Sequence, residues 1–215
     1  MKKALIVYGG WDGHEPRPCA ELFAEVLADR GFDVRLADDL AIFADAAALT
    51  AQDLIVPMWT MGNLTGEQEA GLAAAVRAGS GLAGFHGGMG DAFRANTNYQ
   101  FMVGGQFVCH PDGQVPYRVQ IVRREDPIVQ GIDDFDVTSE QYYMHIDPTN
   151  EVLATTTFVA PREAPWVAGC VMPVAWKRMW GAGRVFYSSL GHIAADFKVP
   201  AVMELTKRGL LWASR

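Results

Sequence analysis

Ala4 to Tyr8 is an unbroken apolar run closed by Gly9-Gly10, the pattern of a strand buried on both faces. After the loop Gly9 to Glu15, Pro16 or Pro18 suits the first turn of a helix. That helix carries Cys19, Leu22, Phe23, Val26 and Leu27 at i, i+3, i+4, i+7, i+8, a single apolar stripe. Gly31 falls where a left-handed C-terminal residue belongs, and Asp33 to Ala37 reads as a second strand. The alternation then repeats. Leu54 to Trp59 is a strand, and Thr65-Gly66-Glu67-Gln68 is a capping box opening a helix to about Ala78. Gly81 to Phe85 is the next strand, with Gly87-Gly88 leading into a short helix.

Strand and helix in this rhythm predict a parallel sheet covered by helices on both faces, an α/β fold. The second half of the chain changes character. Tyr117 to Val122, Val137 to Tyr143, Val152 to Phe158, Met172 to Trp176 and Arg184 to Ser188 read as strands on short connections, which implies antiparallel pairs. A helix from about Pro200 to Trp212 closes the pattern. There are no repeats or linkers, so residues 1–215 are expected to form one domain.

Composition adds exclusions. The formal net charge of −7 repels phosphate backbones and anionic lipid, which argues against nucleic-acid or membrane-surface partners. Arg123-Arg124 and Lys207-Arg208 are too short to reverse that. Cys19, Cys109 and Cys170 are sparse, odd in number and without C-x-x-C spacing, as in a reducing compartment. The apolar run behind Lys2-Lys3 is too short for a signal-peptide core or a membrane span. A cytoplasmic location is the expectation.

The candidate chemistry lies with the five histidines. His14 follows strand one, His86 follows the Gly81 to Phe85 strand, and His192 follows the last strand. Ligands of open parallel sheets bind outside the carboxyl ends of the strands, so these three should converge. His110 sits in Cys-His-Pro and His145 in Tyr-Tyr-Met-His. Gly84-Phe85-His86-Gly87-Gly88 has the form of a nucleophile elbow, a tight strand-to-helix turn that projects its central residue.

Asp91 and Arg94 lie just past that turn, and Glu140, Tyr142 and Asp147 flank His145. A carboxylate beside histidine orients the ring, raises its basicity, or completes a divalent-metal site. The candidate catalytic residues are therefore His86, Glu140, His145 and His192, with His86, His145 and His192 as candidate metal ligands. Trp11, His14, Asp91, Arg94, His110, Tyr142 and Trp176 are candidate ligand-binding residues, the aromatics suiting a sugar ring. A divalent metal such as zinc or manganese is compatible with this set, although no H-E-x-x-H or C-x-x-C spacing occurs. No G-x-G-x-x-G follows the first strand and there is no P-loop, so no nucleotide cofactor is expected.

These motifs, with Gly10-Trp11-Asp12-Gly13-His14, Gly104-Gly105-Gln106, Glu140-Gln141-Tyr142-Tyr143-Met144-His145 and Gly183 to His192, resemble the ThuA-like (trehalose utilisation) family over residues 3–213. The resemblance implies a class I glutamine-amidotransferase-like fold, a flavodoxin-like three-layer sandwich whose mainly parallel sheet has additional antiparallel strands. It also implies a link to trehalose and related disaccharides, processed through 3-keto derivatives. The amidotransferases carry cysteine at the elbow, where this chain has His86, so a thiolate glutaminase is not expected. Two readings follow: an enzyme of keto-sugar or disaccharide metabolism using His/carboxylate chemistry with or without a metal, or a non-catalytic carbohydrate-binding or regulatory protein. A small-molecule carbohydrate is the expected partner, in a homodimer.

Overall fold

A computed structural model describes residues 1–215. The predicted alternation is present: β1 (Lys2–Gly10), α1 (Pro16–Ala28), β2 (Phe32–Ala37), α2 (Ala46–Thr50), β3 (Leu54–Thr60), α3 (Gly66–Arg77), β4 (Gly81–Phe85) and α4 (His86–Gly90). Then come α5 (Thr97–Val103), β5 (Gly105–Cys109), β6 (Gln114–Ile121), β7 (Phe135–Glu140) and β8 (Tyr143–Ile146). The chain ends with β9 (Glu151–Thr157), β10 (Val171–Trp180), β11 (Gly183–Ser188) and α6 (Pro200–Ala213). No helix is long and apolar enough to cross a membrane.

Nine strands form one sheet in the order β2-β1-β3-β4-β11-β10-β9-β6-β7. The first five are mutually parallel, in the doubly wound order of flavodoxin-like folds. From β10 onward the pairings are antiparallel; only β10 and β11 are joined by a tight turn, the expected short connections of β6–β7 and β9–β10 being longer loops. Side chains alternate between two cores because the strand period is two. Ala4 and Ile6 of β1 face α1 and α6 with Phe23, Leu27 and Leu205, whereas Leu5 and Val7 face α2, α3 and α5 with Leu49, Leu72 and Met102. Phe23 and Leu27 are fully buried, each contributing roughly 1.5–3 kcal/mol.

Local signals hold where the chemistry is specific. Thr65 Oγ1 accepts from the Gln68 amide while the Gln68 side chain accepts from the Thr65 amide, and Gly31 adopts φ +83° after α1. One expectation is corrected. The run read as a single strand, Val137 to Tyr143, is two: β7 ends at Glu140, and β8 pairs with β5 in a separate two-stranded ladder. At the break the buried side-chain amide of Gln141 donates to Thr156 Oγ1 and the Thr157 carbonyl, which pins the turn between the two strands.

Candidate functional site

Four neighbouring parallel strands, β1, β3, β4 and β11, end at one edge of the sheet. The residues just past or at those ends are His14, Thr60, His86 and His192. Glu140, at the end of β7, reaches the same place. The three imidazole rings lie 4.8 to 5.2 Å apart, centroid to centroid.

The elbow positions His86. Its backbone has φ +48°, a left-handed conformation that costs a side-chain-bearing residue about 1–2 kcal/mol. Two devices hold it there. The Tyr187 hydroxyl donates to the His86 carbonyl at 3.0 Å. Gly90 is obligatory for that bond, since a Cβ there would meet the Tyr187 hydroxyl. Gly87 has its own reason: a Cβ would collide with the His14 ring.

His86 Nδ1 lies 2.8 Å from the Ser189 carbonyl oxygen, which only accepts, so Nδ1 carries the proton. Nε2, on the other side of the ring, stands 3.1 Å from Glu140 Oε2. His14 Nδ1 bonds Thr60 Oγ1 at 2.8 Å and its Nε2 stands 3.9 Å from the same carboxylate oxygen. The other oxygen, Oε1, faces His192 Nε2 at 3.5 Å and His110 Nε2 at 3.7 Å. Gln114 Nε2 lies 3.2 Å from His192 Nδ1.

Burial pushes the His86 imidazole down to about 4, against the raising effect of Glu140. It lowers His192 as well, for the same first reason. Burial opposes the Glu140 charge, but hydrogen bonds from His14 and His86 and the charges of His86 and His192 outweigh it, holding the carboxyl well below the usual range. What holds the carboxyl low is a proton on the imidazole nitrogen facing it, so protons and a metal cation compete for the same contact.

His14, His86, Glu140 and His192 are all buried, and their ligand atoms lie within 4.8 Å of one another. Ligand bonds of about 2.0–2.1 Å place tetrahedral donor atoms about 3.4 Å apart, so small side-chain shifts close this set around an ion. Two of the second contacts are of the kind that orient metal-binding histidines, a carbonyl for His86 and a hydroxyl for His14. This cluster can hold a metal ion.

The remaining predicted residues fall into three groups. Tyr142 and Trp11 join the site, Tyr142 with its ring 4.0 Å from His86 and Trp11 edge-on to His14 at 4.7 Å. Burial raises the Tyr142 phenol well above its ordinary value, so it is neutral. Asp91 is buried and takes a bidentate hydrogen bond from half-exposed Arg94, whose guanidinium lies over Phe107. Two expectations do not hold in space. His145 is exposed on β8, opposite Gln106, because the chain has left the main sheet and β8 turns Met144 inward instead. Trp176 is wholly buried, donating to the Val103 carbonyl and packing on Tyr187, with no face open to a ligand.

Sequence reasoning missed Thr60, Ser189, Gln114 and Phe107. Thr60 ends a strand beside β1 and β4, a signal that was available. Nothing in the pattern marks Gln114, which acts through tertiary placement. None of the cysteines offers a nucleophile at the elbow: burial pushes the Cys19 thiol up to about 12 and also raises Cys109. Surface concavities of about 420 and 730 Å³ lie elsewhere, along β6 and between α3 and α5.

The sequence profile of the ThuA family, described as trehalose utilisation, matches residues 3–213. No curated protein matches the sequence significantly. Among solved structures, a ThuA-like protein from Bacteroides uniformis superposes with a TM-score of 0.80 at 20% identity, covering 99% of this chain and 91% of that one. A ThuA-like protein from Parabacteroides merdae gives 0.76 at 19%, covering 99% and 89%. The β-galactosidase of Rahnella sp. R3 contains the same fold as a part: TM-score 0.61, 17% identity, 95% of this chain and 31% of that one.

Proposed function

The chain belongs to the ThuA (trehalose utilisation) family, and we propose that it is an enzyme of carbohydrate metabolism that acts on a disaccharide or keto-sugar derivative by metal-assisted acid–base chemistry. One observation supports this above others: His14, His86, His192 and Glu140 form a buried set whose ligand atoms lie within 4.8 Å of one another, with His86 Nε2 3.1 Å from the carboxylate.

His14, His86, His192 and Glu140 are the residues that would hold the ion, zinc or manganese in keeping with nitrogen and carboxylate donors. When bound, such a cation polarises a carbonyl oxygen and offsets negative charge building on it. His110 stands apart from the buried four, with 40% of its side chain exposed. Its Nε2 faces Glu140 Oε1, which favours the tautomer protonated there, and Nδ1 has no hydrogen-bond partner. The exposed part of the His110 ring is the part of this set that a ligand would meet, and an imidazole is suited to proton exchange with it. With histidine in place of cysteine at the elbow, the protein is not a glutaminase. Its three free cysteines fit a cytoplasmic setting.

The test is incubation of the metal-loaded protein with 3-keto derivatives of trehalose and related disaccharides, followed by NMR. Turnover that falls by about 10²-fold or more in His110→Ala, with binding retained, supports the enzyme. Binding without turnover in the wild type makes it a carbohydrate-binding protein instead.

A further inference from the structure

Two of the donors come from strands that the sheet keeps apart. β7 is an edge strand paired with β6, and β10, β9 and β6 all stand between it and β11. At about 4.8 Å per strand, β7 and β11 are on the order of 19 Å apart along the sheet. Yet Glu140 Oε1, from the end of β7, meets His192 Nε2, from the loop after β11, at 3.5 Å. Strand pairing does not set that distance.

Asp196 spans the gap. It lies in the single helical turn Ala194–Lys198, between β11 and α6. Its Oδ2 accepts two hydrogen bonds, from the His192 amide at 3.0 Å and from the Ser139 hydroxyl at 2.7 Å. Ser139 is buried and immediately precedes Glu140. One charged oxygen thus fastens the backbone of one donor to the neighbour of another, by the stronger, charge-assisted kind of bond. A carboxylate that served the turn alone would need only the His192 amide. The bond to Ser139 does nothing for the turn and joins two elements of the site.

The turn is itself anchored. Phe197 is buried edge-on against Phe23 and Phe85, with centroids 4.7 and 4.8 Å away. Gly191, at φ +90°, packs so closely on the Phe197 ring that a Cβ would collide with it. The Ala194 amide donates to Glu15 Oε2 at 3.0 Å, and Glu15 follows His14. This one loop therefore reaches the chain beside His14 and Glu140 while carrying His192.

We propose that Asp196 is a positioning residue: its Oδ2 ties the His192 loop to the Glu140 strand end and so sets the spacing at which both meet the cation. This rests on the cation reading above and names what fixes the geometry of that site.

The experiment uses the full-length protein and cobalt(II), whose visible spectrum reports the geometry of its ligands, with affinity measured by competition against a chelator. Asp196→Ala, confirmed folded by circular dichroism, should bind cobalt at least about tenfold more weakly than wild type and with an altered spectrum. Asp196→Asn should bind as wild type does, because its amide oxygen can accept both bonds. Ser139→Ala cuts the link to β7 alone; it should shift affinity and spectrum the same way, and it carries the test if Asp196→Ala does not fold. Wild-type affinity and spectrum in every alanine variant that folds overturn the proposal alone, as does an asparagine variant as weak as the alanine one. A wild-type protein that takes up no cobalt overturns the cation reading and this proposal with it.

Discussion

His86 Nε2 and Glu140 Oε2 lie 3.1 Å apart, and the Ser189 carbonyl on the far side of the ring holds a proton on Nδ1. The contact between nitrogen and carboxylate is filled by a second proton or by a cation. Glutamine at position 140 keeps the shape of the side chain and removes its charge. Glu140→Gln should cost the metal-free protein, at neutral pH, the stability that the lowered carboxyl contributes. Its metal affinity should fall by at least about tenfold. Urea unfolding and a metal-binding curve on one preparation check both halves.

Gly87→Ala tests how the elbow serves the cluster. The new methyl would meet the His14 ring, displacing it from Thr60 and from the carboxylate. The expected cost is about 1–3 kcal/mol of stability, together with weaker metal binding. A variant that binds metal as wild type does would remove His14 from the ligand set.

The pH dependence has a definite sign. The imidazole of His86 falls from 6.5 to about 4 on folding, and that of His192 is lowered too, chiefly by burial. Between these values the unfolded chain binds protons that the native state does not, so acid favours unfolding. The contribution is fully present above about 6.5 and is lost as pH falls toward 4. Below the ordinary carboxylate range of 4.5, the depressed Glu140 adds a loss of the same sign. Metal-free protein should show a urea midpoint that declines from pH 7 to pH 4.5, with a shallower decline in His86→Gln.

Sequence pattern disclosed the parallel half of the fold because each strand there is a continuous apolar run and each helix carries a stripe or a cap. The strand-end rule likewise brought His14, His86 and His192 together before any coordinates. What stayed hidden depends on tertiary placement. β5 is short and partly exposed, so Phe107 carried no periodic signal, and Gln114 sits in an ordinary polar position. His145 shows the opposite error. Its nearness to Glu140 in sequence suggested a shared site, yet the break at Gln141 sends β8 to another ladder. His145→Ala should accordingly change stability by no more than about 0.5 kcal/mol and leave metal content and turnover as they are.

The central claim is that the buried histidines and Glu140 hold a cation. Protein purified without chelator should contain about one equivalent of a transition metal by elemental analysis, and the His86→Ala, His192→Ala double variant, confirmed folded by circular dichroism, should contain none. A wild-type protein that takes up no metal under any loading condition, or a double variant that retains it, would contradict the account.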